Sequence, residues 1–149
     1  MKLFTIGFTK KTAQDFFTLL KKNSIRKLID IRLNNASQLA GFTKGNDLKY
    51  FLKEICDIEY IHDTELSPTK EILDDYKNNK ISWYQYEIFF KSLLEERKIN
   101  SMLKTKYNNQ LDKICLLCSE VTADKCHRRL VAEHIKNNNP NLNIEIIHL

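Results

Sequence analysis

The stretch Lys113-Ile114-Cys115-Leu116-Leu117-Cys118 is an apolar run closed by Ser119-Glu120, and it is followed by Cys126-His127-Arg128-Arg129. A run with no polar alternation reads as a strand covered on both faces, the pattern of a parallel sheet. Beyond the loop Ser119 to Asp124, the spacing of Cys126, Leu130, Val131 and Ile135 marks a helix.

The same alternation extends toward the N-terminus. Lys2-Leu3-Phe4-Thr5-Ile6 is a short β-prone run closed by Gly7, and Thr12 with Asp15 opens a helix whose Ala13, Phe16, Phe17 and Leu20 share a face. Lys27-Leu28-Ile29-Asp30-Ile31 is a second apolar strand, ending at Arg32. The loop Leu33 to Gly45 follows, then Leu48, Phe51, Leu52 and Ile55 at helical spacing, and Ile58-Glu59-Tyr60-Ile61 as a third strand. Ser67-Pro68 reads as a helix start, and Ser82 with Gln85 as a capping box ahead of Tyr86, Phe89, Phe90, Leu93 and Leu94. Asn143 to Leu149 is the last strand. Strands separated by helices need crossover connections, so the expectation is an α/β fold. It has three layers, α/β/α, around a mostly parallel sheet of about five strands.

At 149 residues the chain is expected to form a single domain over 1–149, and no linker or internal repeat divides it. With 42% hydrophobic residues, three Gly and two Pro, it has a globular composition. No apolar run is long enough to cross a bilayer, and Met1 to Gly7 lacks the pattern of an export signal, so the expected compartment is the cytoplasm with no membrane partner. Its four Cys are then expected to be reduced, leaving packing, reactivity or metal binding as their roles. The net charge of +5 favours an anionic partner, although the Lys residues are spread along helices rather than gathered in a block.

In open α/β sheets ligands bind outside the carboxyl ends of the strands. That edge should gather Thr9, Asp30, Arg32, Cys118 and Glu120. Asp30 and Arg32, two apart in an extended segment, project to one face, either as a structural ion pair or as an acid and an anion-binding fork. Cys126, His127, Arg128 and Arg129 open a helix, where backbone N–H groups and guanidinium groups favour an anion; Cys126 is there either a reactive thiol or a packed one. Cys115 and Cys118 face opposite sides of a strand and cannot form a redox pair. Cys118, last in its strand, is the nucleophile candidate, with Asp30, Glu120 and His127 as proton carriers and Thr9, Arg32, Lys44, Cys126, Arg128 and Arg129 as substrate-binding candidates. Cys118, Glu120, Cys126 and His127 offer four metal donors, but their spacing matches no standard zinc site, so no metal ligand is assigned and the cofactor stays open. His134 and His148 read as core or surface residues, and His62 as a weak candidate for the same edge.

The order of these residues resembles the domain of unknown function 488 family over essentially the whole chain. The resemblance rests on Thr5-Ile6-Gly7, Asp30-Ile31-Arg32, Phe42, Cys118-Ser119-Glu120 and Cys126-His127-Arg128. The family's usual His and Ser after the glycine are Phe8 and Thr9 here, its Leu-Gly-Gly is Leu66-Ser67-Pro68, and the loop Leu33 to Gln38 lacks its Pro and Arg. The chain is thus similar to a divergent subgroup. The resemblance implies an α/β fold with a polar site and names no reaction.

Two functional expectations follow. The first is an enzyme acting on a phosphate-bearing or nucleic-acid-related substrate through the Asp/Arg/Cys/Glu site at the strand edge, with Arg32, Arg128 and Lys44 holding the anion. The second is a non-catalytic module that binds nucleic acid or a nucleotide in the same pocket. A third reading has the polar cluster serving only to hold loops together.

Overall fold

The computed structural model describes residues 1–37, 40–108 and 110–149. Gln38, part of the loop compared with the family, lies outside them. Five strands, β1 (Lys2–Gly7), β2 (Lys27–Asp30), β3 (Glu59–His62), β4 (Ile114–Cys118) and β5 (Glu145–His148), form one sheet in the order β3-β2-β4-β1-β5. Every pairing is parallel. The apolar run Ile114–Cys118 is thus the central strand, with all five residues buried.

Among the described residues, six helices, α1 (Ala13–Lys22), α2 (Gly45–Phe51), α3 (Lys70–Lys77), α4 (Trp83–Glu96), α5 (Ile99–Tyr107) and α6 (His127–Asn137), cover both faces. Phe4, Ile6, Leu28, Cys115 and Leu117 face Phe16, Phe17 and Leu20 of α1 and Leu48 of α2. Their strand neighbours Leu3, Ile29, Leu116 and Ile114 face Tyr86 and Phe90 of α4, Leu103 of α5 and Val131 of α6. This is the three-layer α/β/α arrangement, and the strand alternation separates Cys115 from Cys118 as expected.

Local signals set most helix starts. The Thr12 side chain accepts from the Asp15 N–H, and Ser82 with Gln85 forms the complete capping box. The helix read at Ser67-Pro68 begins later. Asp63 instead caps a 3-10 turn over Thr64–Leu66, Ser67 is extended and its hydroxyl donates to the Ile31 carbonyl at 2.9 Å, and Thr69 caps α3. A hydroxyl already bonded to the neighbouring strand end cannot cap a helix. Ala13 lies exposed in the first turn of α1, outside the buried face of Phe16, Phe17 and Leu20. The helix begun at Gly45 passes into a π-helical turn, Leu52–Cys56; the wider turn breaks the three-four spacing, and Ile55 reaches solvent, 47% exposed.

Candidate functional site

The carboxyl ends of β1, β2 and β4 surround a cavity of about 780 Å³. Phe8 and Thr9 enter it after β1, Arg32 after β2, and Cys118, Ser119 and Glu120 after β4. Cys126 and His127 close it from the start of α6, and Tyr76, Lys77, Trp83 and Tyr86 come from α3 and α4.

The β2 end is an ion pair. Arg32 Nε donates to Asp30 Oδ1 at 2.8 Å and Nη2 to Oδ2 at 2.6 Å, a two-point fork with Asp30 fully buried and Arg32 3% exposed. Nη2 also donates to the Thr43 carbonyl, the Tyr60 hydroxyl donates to Asp30 Oδ2 at 2.7 Å, and Arg32 lies over the Phe8 ring. Burial alone would lower the Arg32 pKa, but the bonds and charge of Asp30 outweigh it and raise it. Arg32 lines the cavity, and its Nη1 is buried with no hydrogen-bond partner among the described residues. Asp30 itself does not line the cavity. His62 donates from Nε2 to the Arg32 carbonyl at 2.7 Å, supporting this strand end from β3.

The β4 end carries the sulfurs. Cys118 Sγ lies 3.5 Å from His127 Nδ1, while His127 Nε2 is 2.8 Å from the Ile31 carbonyl. A carbonyl only accepts, so Nε2 carries a proton, and Nδ1 is the ring nitrogen turned toward the sulfur. A hydrogen bond from Cys126 lowers the Cys118 pKa, against burial and aided by the backbone N–H groups of Ser119 and Glu120 and the charge of Arg128. The same bond, with burial, raises Cys126. The Cys126–Cys118 pair therefore ionises first at Cys118. Cys115, on the other face of β4, is pushed up by burial and takes no part.

The loop between β4 and α6 is held from within. Arg128, fully buried, donates through Nη1 to the Glu120 carbonyl at 2.7 Å and to Cys126 Sγ at 3.4 Å, and through Nη2 to the Val121 carbonyl. Gly7 lets this loop close: a Cβ there would sit 1.7 Å from the Glu120 carbonyl oxygen.

Of the residues expected at the site, Thr9, Arg32, Cys118, Glu120, Cys126 and His127 share the cavity wall. Asp30 stands behind Arg32, and Arg128 behind the loop. Arg129 is tied to Glu87 and Glu133 away from the cavity, and Lys44 precedes α2 and does not line it. His134 lies beside Glu95, and the His148 ring bonds to Thr5 Oγ1. The sequence reading missed Lys10, Lys11, Lys77 and Lys125 at the cavity, and the aromatic wall of Tyr76, Trp83 and Tyr86. The Trp83 and Tyr86 rings stack 4.8 Å apart. Leu73, Tyr76 and Lys77 share one helical face, the only signal available for this wall, and nothing local says that α3 reaches the sheet edge.

No helix among the described residues is long and apolar enough to cross a membrane. No curated protein and no solved structure matches the chain. A family model described as Domain of unknown function DUF488 matches residues 12–135, from the cap of α1 to near the end of α6. That span includes Asp30, Arg32, Phe42, Cys118, Glu120 and the Cys126-His127-Arg128 turn, and the chain accordingly belongs to the DUF488 family.

Proposed function

We propose that the chain is an enzyme acting on a phosphate-bearing substrate, a nucleotide or a related nucleic-acid component, bound in the cavity at the strand edge. The observation that carries this reading is Arg32. Its charge is fixed in place by Asp30, and a buried guanidinium N–H without a partner is costly unless a ligand completes it. Lys10, Lys11, Lys77 and Lys125 around the same cavity add to the attraction for an anion. The chemistry falls to the Cys118, Cys126 and His127 cluster, with Glu120 at the wall as proton carrier. Cytoplasmic conditions would keep these thiols reduced.

Calorimetric titration with inorganic phosphate and nucleoside monophosphates tests the reading. Binding is expected in the wild type and about tenfold weaker in Arg32→Lys, which keeps the charge and loses the fork. Equal affinity in the two proteins overturns it. Turnover should disappear in Glu120→Gln while binding remains.

The stacked Trp83 and Tyr86 favour a second reading, a non-catalytic module that holds a base against the aromatic wall. Affinity that falls steeply with salt, without turnover of any bound compound, would select it.

A further inference from the structure

We propose that Cys118 Sγ, Cys126 Sγ and His127 Nδ1 form a binding site for one divalent zinc-type cation, with its fourth coordination position open to the cavity. The three donors come from the end of β4 and the first turn of α6, and all lie within 4.8 Å of one another. A tetrahedral zinc ion, with bonds of about 2.3 Å to sulfur and about 2.0–2.1 Å to nitrogen, holds a sulfur and a nitrogen ligand about 3.5 Å apart. Cys118 Sγ and His127 Nδ1 are separated by 3.5 Å.

The surroundings of the donors have the character of a metal site. A ligating imidazole normally donates its other ring N–H to a carbonyl or carboxylate, which fixes its tautomer and raises its basicity. His127 does this through Nε2 to the Ile31 carbonyl, and Phe90 packs against its ring edge-on. Arg128 Nη1, 3.4 Å from Cys126 Sγ, stabilises a thiolate there. All three donor residues are buried, so they have little competition from water, and all three line the cavity.

The donor set, two thiolates and one imidazole, is soft enough to prefer zinc over magnesium or calcium. Three protein ligands with an open position are the pattern of a catalytic zinc rather than a structural one. Glu120 does not join the donor group, and its exposed carboxylate at the cavity wall is free to carry a proton for whatever occupies the fourth position. The site stands on ligand geometry alone. It rests on the phosphate-substrate reading only for the use to which the cation is put: polarising a phosphoryl oxygen held by Arg32.

Chelator-treated protein, kept reduced, is reloaded with Zn²⁺ or Co²⁺ and its metal content measured. One metal per chain is expected, and the Co²⁺ form should show the intense visible bands of a tetrahedral ion together with thiolate charge-transfer absorption. Cys118→Ser, Cys126→Ser and His127→Ala should each weaken zinc binding more than a hundredfold, whereas Cys115→Ser should retain it. Wild-type protein without the charge-transfer band, or a Cys118→Ser/Cys126→Ser variant that holds zinc as tightly as the wild type, overturns the site. The wild-type spectrum decides the matter even if the variants do not fold. Phosphate titration of the metal-free protein separates the two readings: phosphate affinity without the cobalt band removes the metal site alone, and the cobalt band without phosphate affinity removes the anion reading alone.

Discussion

β2 and β4 lie side by side and end at the same cavity, and each end depends on a buried arginine, but the two arginines are balanced differently. Arg32 is neutralised by the two-point fork to Asp30, and its Nη1 is left without a hydrogen-bond partner among the described residues. Arg128 has no carboxylate partner: its Nη atoms are held by the carbonyls of Glu120 and Val121 and by the Cys126 sulfur, and its Nε too is buried without a partner among the described residues. The β2 end is therefore a closed ionic unit. The β4 end is a positive centre that favours negative sulfur beside it. Under the proposed function this difference divides the labour, with β2 binding and β4 carrying the chemistry.

The sharpest way to break this contrast is Asp30→Asn. It leaves Arg32 buried and unpaired and is expected to cost about 3–5 kcal/mol in urea unfolding, while Asp30→Leu combined with Arg32→Met should recover most of that loss. An Asp30→Asn protein as stable as the wild type would mean that the β2 end is not a closed unit. Arg128→Met should cost about 2–3 kcal/mol by removing a charged donor from two carbonyls. Its distinguishing sign is a freed 119–125 loop, read as rapid tryptic cleavage after Lys125. Phosphate affinity should change far less than in Arg32→Lys.

Gly7→Ala sharpens the comparison from the β1 side. The added methyl displaces the Glu120 carbonyl, at a cost of about 1–3 kcal/mol, and should disturb the β4 loop without touching the Asp30–Arg32 pair. The smallest effect is a pH dependence on α6. Burial lowers the pKa of His134 while Glu95 pulls weakly the other way. The unfolded chain then takes up the proton first, so this contribution to stability is full above about pH 6.5 and declines as the pH falls below it. Urea midpoints measured from about pH 7.5 to about pH 5.5 should fall less steeply in His134→Gln than in the wild type.

The fold was legible wherever one local cause decides an element. The apolar runs of β2 and β4, the Thr12 cap and the Ser82–Gln85 box need only neighbouring residues, and each is found where its pattern puts it. The start of α3 was misread because the Ser67 hydroxyl is engaged by Ile31, 36 residues away. The site was legible where strand ends define it: Arg32, Cys118 and the Cys126-His127 turn meet as expected. The partners of Arg128 and Arg129 were not, since the same residue type at a helix start serves a ligand, a loop carbonyl or a neighbouring Glu depending on tertiary packing. The aromatic wall was missed for a related reason, because which side of α3 and α4 faces the cavity depends on how the helices dock.

The strand order also governs when the molecule can assemble. β4 is the middle of the sheet, yet it lies in the last third of the chain and bridges β1 and β2, with Leu3 and Lys27 both aligned on Ile114. During synthesis β1 and the β2–β3 pair must wait without pairing with each other, exposing edges until β4 arrives. Contacts this distant in sequence slow the closing of the sheet. A chain cut short before Ile114 should accumulate as aggregate rather than as a smaller folded unit, and cellular handling of the nascent chain should be most demanding just before the central strand emerges.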